Sequence, residues 1–144
     1  MALISKSSEY GLRAALYIAG RPAGEHVSVR EMSETMDISF HFLTKILQKL
    51  ARAGLLKSTR GAKGGIALAK LADQITLLDI VRSIEGASLF ESCILGLAGC
   101  GEKRPCPLHR QWGKERARIE KIFRRTTLAR LARETARDGL RLAD

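Results

Sequence analysis

The chain has 144 residues, with 25 Lys and Arg against 15 Asp and Glu for a formal charge of +10, and it is 45% apolar but only 5% aromatic. That length and apolar content suit one domain, or one domain with a dimerising extension, cored by Leu, Ile, Val and Ala. The basic excess points to an acidic partner, nucleic acid first, whereas no basic aromatic amphipathic terminus, signal-peptide order or membrane-length apolar run is evident, so a cytoplasmic location with reduced thiols and no membrane partner is expected.

In chain order, Tyr10, Leu12, Ala15, Leu16, Ile18 and Ala19 give a helical period from Ser5 to Ala19 that Gly20-Arg21-Pro22 stops. Ser28 caps a short helix, with Glu31 completing a capping box and Val29, Met32, Ser33 and Met36 on its inner face. Asp37-Ile38 forms a turn. Ser39 caps a longer helix whose Phe42, Leu43, Ile46, Leu47 and Leu50 face inward until Gly54 ends it, leaving His41, Thr44, Lys45, Gln48, Lys49 and Arg52 outward. A short helix, a tight turn and a longer helix with a polar, basic face are the parts of a helix-turn-helix, because the second helix must offer donors to a major groove. Two strand-like stretches follow, Leu55–Thr59 and Gly65–Ala69, joined by Arg60-Gly61-Ala62-Lys63-Gly64. A basic, glycine-rich hairpin in that position reads as a wing, with Arg60 suited to a narrow minor groove and Lys63 to a phosphate.

Thr76 caps a fourth helix with Leu77, Leu78, Ile80, Val81 and Ile84 apolar, ended by Gly86. Residues 87–106 carry no sustained period and hold every cysteine of the chain, Cys93, Cys100 and Cys106, with His109 just beyond. Thiolates and imidazole suit iron–sulfur clusters or zinc, and Gly96, Gly99 and Gly101 let the loop wrap tightly. The bland alternative is a set of unliganded thiols beside a surface histidine. Pro107 suits the first turn of a long helix, on which Leu108, Trp112, Ile119, Ile122 and Phe123 make a narrow seam fit for pairing with another helix. Thr126 or Thr127 opens a last helix with Leu128, Leu131, Ala132 and Thr135 along one side.

The expected fold is therefore mainly α with a small β-hairpin wing. It divides into a winged helix-turn-helix over 1–75 and a region over 76–144 that carries a connecting helix, the cysteine loop (87–106) and dimerisation helices. No nucleotide-pocket motif, catalytic Ser/His/Asp order or partnered carboxylates appear, so the chain does not read as an enzyme.

Several stretches together resemble the IscR/NsrR/CymR superfamily of bacterial winged-helix regulators: Ser5–Ala14, Phe42–Leu47, Arg60–Gly65, Ile75–Val81 and the three-cysteine loop. The resemblance implies a homodimer that binds a double-stranded DNA operator, with a long C-terminal helix crossing its partner. It also implies that Cys93, Cys100 and Cys106 hold an iron–sulfur centre, 2Fe–2S in preference to 4Fe–4S. In IscR-like members a histidine three residues after the third cysteine is the fourth ligand, followed by a tryptophan three further on, and Cys106-Pro107-Leu108-His109-Arg110-Gln111-Trp112 is similar. In some NsrR-like members an acidic residue early in the first helix serves from the other subunit, and Glu9 stands in that position. His109 is preferred, since its spacing puts it beside Cys106 on one helix turn. The first spacing, six residues, is one longer than the family pattern. DNA contacts are implied for Ser28, Ser39, His41, Phe42, Thr44, Lys45 and Lys49, with Arg60 and Lys63 from the wing. The expected role is a regulator sensing redox state, iron supply or nitric oxide. A zinc-stabilised Cys3His structural or DNA-binding module and a metal-free thiol switch are the alternatives.

Overall fold

A computed structural model describes residues 3–139 and 141–142, so positions 1–2, 140 and 143–144 at the margins of the two expected regions lie outside the described residues. Short polar side chains ahead of apolar-periodic runs start the helices. The Ser5 hydroxyl accepts from the Ser8 N–H ahead of α1 (Lys6–Ala19), Ser28 from Glu31 ahead of α2 (Val29–Met36), and Ser39 from Phe42 ahead of α3 (Phe40–Arg52). Each cap satisfies one donor that a helix N-terminus leaves unpaired. The expected capping box at Ser28 is half made. The Glu31 carboxylate instead accepts from the Tyr17 hydroxyl at 2.6 Å and from the Arg21 guanidinium, a charge-assisted pairing stronger than one bond to a backbone N–H. Between α2 and α3, Asp37 adopts the left-handed φ of 50° and the Ser33 hydroxyl donates to the Ile38 carbonyl at 2.6 Å, closing the tight turn.

Strands β1 (Leu56–Thr59) and β2 (Gly65–Leu68) pair antiparallel, with Leu56 opposite Leu68 and Thr59 opposite Gly65. The wing is sewn to the helices where Val27 and Ile66 exchange two backbone hydrogen bonds of 2.8 Å. Gly65 has φ +148°, and a Cβ there would sit 2.5 Å from the Val27 carbonyl oxygen, so only glycine allows this closure. A 3-10 turn (Ala72–Gln74) leads to α4 (Leu77–Glu85), whose cap is reciprocal: Asp79 N–H donates to the Thr76 hydroxyl at 3.2 Å and Thr76 N–H to the Asp79 carboxylate at 2.9 Å. A short helix, α5 (Ser88–Glu91), stands where the sequence reads as irregular. Helix α6 (His109–Arg125) begins two residues after Pro107, which therefore precedes the helix and does not lie in its first turn, and α7 (Leu128–Asp138) is capped by Thr127.

The main core joins Ala14, Ile18, Val27, Met32, Leu43, Ile46, Leu50, Leu56 and Ile66 to Ile75, Ile80, Ile84 and Leu128, so it spans residue 75 and includes a side chain of the last helix. Helix α1 crosses α4 so closely that a Cβ on Gly11 would meet Ile84 Cδ1 at 2.4 Å. A second cluster gathers Leu78, Val81 and Phe90, with Ile119 and Phe123 of α6 packed against it and Phe90 edge-on to Phe123 at 5.7 Å. Helix α4 therefore contributes to both. The seam expected on α6 divides: Ile119 and Phe123 turn toward α4 and α5, while Leu108 and Ile122 are exposed. Ahead of α7 the chain returns to the start of α4, since Thr76 bridges Thr127, Leu77 N–H donates to the Thr126 carbonyl at 3.0 Å and Leu128 N–H to the Ile75 carbonyl at 2.9 Å. The architecture is mainly helical with a two-stranded wing, as expected. No described helix is long and apolar enough to cross a membrane.

Candidate metal centre

Tight turns bring the three cysteines together. Gly96 N–H donates to the Cys93 carbonyl at 3.0 Å and Cys100 N–H to the Leu97 carbonyl at 3.3 Å, and Gly96 and Gly99 take φ of +68° and +69° that permit the reversals. Cys106 is buried just ahead of α6, and His109 N–H donates to the Cys106 carbonyl at 3.0 Å. The three Sγ atoms lie within 4.8 Å of one another. With the His109 imidazole they form two close pairs: Cys93 Sγ is 3.6 Å from Cys106 Sγ, and Cys100 Sγ is 3.4 Å from His109 Nδ1. The other imidazole nitrogen, Nε2, is 3.4 Å from the exposed Glu102 carboxylate, an arrangement that leaves Nδ1 to face the sulfurs.

Around these donors lies a cavity of about 20 Å³ lined by Glu91, Cys93, Cys100, Cys106, His109, Trp112 and Arg116. Trp112 Nε1 and Arg116 Nη1 both donate to the Ser92 carbonyl, at 3.0 and 2.7 Å, and so fasten the residue before Cys93 to α6. Arg116 is absent from the sequence-based site; its position one helical turn beyond Trp112 is the signal that would have found it. Cys93 is the acidic thiol, pulled down to about 7 by the backbone N–H groups of Leu97 and Leu95 and by its sulfur neighbours. A backbone N–H bond from Cys106 favours the Cys100 thiolate, but burial and the crowding sulfurs of Cys106 and Cys93 outweigh it and hold Cys100 above its ordinary range. Glu9 is not among the residues that line this cavity, and within its own chain its carboxylate is paired with Lys6 at 2.8 Å.

The other expected residues belong to α2, α3 and the wing and are not among those that line this cavity. On α3, His41, Lys45, Gln48 and Arg52 are exposed on the face away from the core, with the Ser39 cap at its leading end. Arg60 and Lys63 are exposed at the wing tip, and Ser28 at the start of α2. Three residues are engaged within the chain, Phe42 and Thr44 half-buried and Lys49 exposed. Phe42 is edge-on to Tyr10 at 5.8 Å; the Thr44 hydroxyl donates to the Phe40 carbonyl at 2.7 Å; Lys49 Nζ donates to the Ile84 carbonyl at 3.4 Å near the end of α4.

A helix-turn-helix with a wing, and a cysteine-rich loop between α5 and α6, define a winged-helix transcriptional regulator. Residues 4–134 match the family model of Rrf2, described as an iron-dependent transcriptional regulator, and the chain belongs to this family. A putative HTH-type transcriptional regulator of Aquifex aeolicus is 32% identical over 88% of each chain. Among solved structures, CymR, the global cysteine regulator of B. subtilis, is 30% identical with a TM-score of 0.78, over 94% of this chain and 99% of its own. T. potens IscR is 27% identical with a TM-score of 0.77, over 96% and 91%. The oxidized form of Staphylococcus aureus CymR is 31% identical with a TM-score of 0.74, over 92% and 96%. These relatives are transcriptional regulators and not enzymes.

Proposed function

We propose that the protein is a homodimeric DNA-binding regulator whose Cys93, Cys100, Cys106 and His109 hold an iron–sulfur cluster, 2Fe–2S in preference to 4Fe–4S, and that this centre reports redox state, iron supply or nitric oxide. The observation that carries it is the pairing of donors. Two ligands on one tetrahedral metal stand about 3.4–3.8 Å apart, from metal–ligand bonds of about 2.0–2.3 Å. The Cys93–Cys106 and Cys100–His109 separations of 3.6 and 3.4 Å are of that order and the three sulfurs lie within 4.8 Å of one another, so these four side chains would hold a metal group between them. Three soft sulfurs with one imidazole are donors suited to iron, and such a centre, when bound, can change charge with oxidation state or be lost altogether.

The residues of the chain supply the coupling. The cysteine loop is tied to α6 through Ser92, Trp112 and Arg116, and α6 is tied to α4 by the Arg82–Glu120 ion pair at 3.2 Å and to α5 by the Phe90–Phe123 contact. Helix α4 in turn touches both DNA-domain helices that matter, α1 at Gly11–Ile84 and α3 at Ile84–Lys49. A shift of α6 against a second copy would change the separation of two recognition helices, which must match half-sites about 34 Å apart. A coupling of roughly 1–3 kcal/mol changes operator affinity roughly 5- to 150-fold.

Anaerobic purification with visible absorption and iron and sulfide analysis tests the cluster. The wild type should be coloured, each of Cys93→Ala, Cys100→Ala and Cys106→Ala colourless, and His109→Ala altered in spectrum or cluster stability while Glu9→Ala resembles wild type. A colourless protein holding one zinc would assign the Cys3His structural site instead. A metal-free thiol switch is the second reading, favoured by the acidic Cys93 thiol 3.6 Å from Cys106. For the DNA partner, Lys63→Ala should lower the slope of log affinity against log salt by about one, as for one phosphate contact.

A further inference from the structure

Helix α3 opens with an apolar ring turned away from the core. Phe40 is 45% exposed and belongs to neither hydrophobic cluster, whereas Phe42, two residues on, is packed against Tyr10. The exposed ring is nevertheless held. The Arg30 guanidinium of α2 stands 6.0 Å from its centroid, and the His41 imidazole meets it edge-on at 5.9 Å. The Arg30 contact crosses the turn between α2 and α3, so the ring is fixed relative to both helices of the helix-turn-helix. Thr44, the neighbouring side chain one turn on, has its hydroxyl committed to the Phe40 carbonyl. That leaves Phe40 and His41 as the forward groups of the helix.

An apolar ring framed by a guanidinium and an imidazole at the leading end of a recognition helix matches one feature of duplex DNA. Base edges in the major groove present hydrogen-bond donors and acceptors with a single apolar group among them, the 5-methyl of thymine. The backbone phosphates flank it, and guanidinium groups seek them. We infer that Phe40 reads sequence by covering the 5-methyl group of one thymine in each half-site, with Arg30 steadying the ring and facing the phosphate backbone. The inference rests on the DNA-binding reading above and adds to it a base preference carried by van der Waals contact, independent of any hydrogen bond.

The test uses full-length protein and a duplex that it selects from a randomised pool. Each thymine of that duplex is replaced in turn by deoxyuridine, which removes only the methyl, and affinities are measured for wild type, Phe40→Ala and Phe40→Leu. At one thymine per half-site the wild type should lose about fourfold, the transfer free energy of one buried methyl, and Phe40→Ala should lose nothing there while responding like wild type everywhere else. Phe40→Leu, which keeps an apolar contact, should retain part of the loss. Methyl effects transmitted through DNA shape would persist in Phe40→Ala, so a deoxyuridine profile identical in wild type and Phe40→Ala overturns the assignment. Circular dichroism and binding to unselected duplex confirm that the variants fold. A wild-type protein that enriches no duplex overturns the DNA-binding reading itself, an outcome distinct from enrichment with an unchanged profile.

Discussion

Leu128→Ala should weaken the entire winged-helix core and not merely loosen the last helix. Leu128 is 0% exposed and among the largest fully buried side chains, in one cluster with Ile75 and Ile80. Truncating a buried leucine costs about 2–5 kcal/mol, and the value within that range depends on how far the surroundings can collapse into the cavity. Collapse is restricted here. The backbone N–H of Leu128 is bonded to the Ile75 carbonyl at 2.9 Å and Thr127 bridges Thr76, so α7 cannot slide inward without breaking those contacts. The upper part of the range follows, about 3–5 kcal/mol, which for a chain of this size lowers the melting temperature by roughly 10–15 °C. Thermal and urea unfolding of metal-free protein, followed by circular dichroism at fixed protein concentration, would measure it. A loss below about 0.5 kcal/mol, typical of surface substitutions, or an early transition confined to α7 with the main one unmoved, would refute the idea that the last helix completes the core.

Two further outcomes are expected. In metal-free, reduced protein, Cys93 should alkylate ahead of Cys100 and Cys106: with its thiol at about 7 against the ordinary 9.0, Cys93 is thiolate down to about pH 7 and loses reactivity as pH falls through that value. Near pH 7 it is about half ionised against about 1% for an ordinary thiol, and after a roughly eightfold penalty for lower nucleophilicity a roughly sixfold advantage remains, measurable by mass spectrometry; a midpoint near 9 would contradict it. Ile122→Asp, at a residue 60% exposed on α6, should convert a dimer to a monomer in light scattering and weaken operator binding with helix content unchanged, and an unaltered dimer would remove α6 from the interface.

What the sequence makes legible is what is local. Ser28, Ser39 and Thr76 announce their helices because capping is decided within four residues. The wing is legible in Arg60–Gly65, although the reason for Gly65, a carbonyl of Val27 far back in the chain, is not. Glu31 misleads for the same reason: its position fits a capping box, but Tyr17 of α1 and Arg21 from the bend after it take the carboxylate in place of the backbone. Within the candidate site, the spacing of Cys93, Cys100, Cys106 and His109 identifies the donors, but their division into two pairs depends on turns at Gly96 and Gly99 that composition alone does not order. Phe40 escapes because it is apolar and adjacent to an apolar helix face; only the geometry separates it from Phe42.

The pinning of Thr76 to Thr127 gives the molecule the form of a closed core with one long excursion, leaving and re-entering at the same point. Such a detour is nearly free to vary in length, since doubling a loop adds only about 0.6 kcal/mol of closure entropy. The part of the detour beyond α4 can therefore be lengthened, exchanged or emptied while the DNA-reading body, with Ile80 and Ile84 of α4 inside it, stays assembled around Leu128. Yet neither end can slip. A change of shape inside the excursion has no loose terminus through which to dissipate, and it is returned to the body where α4 begins.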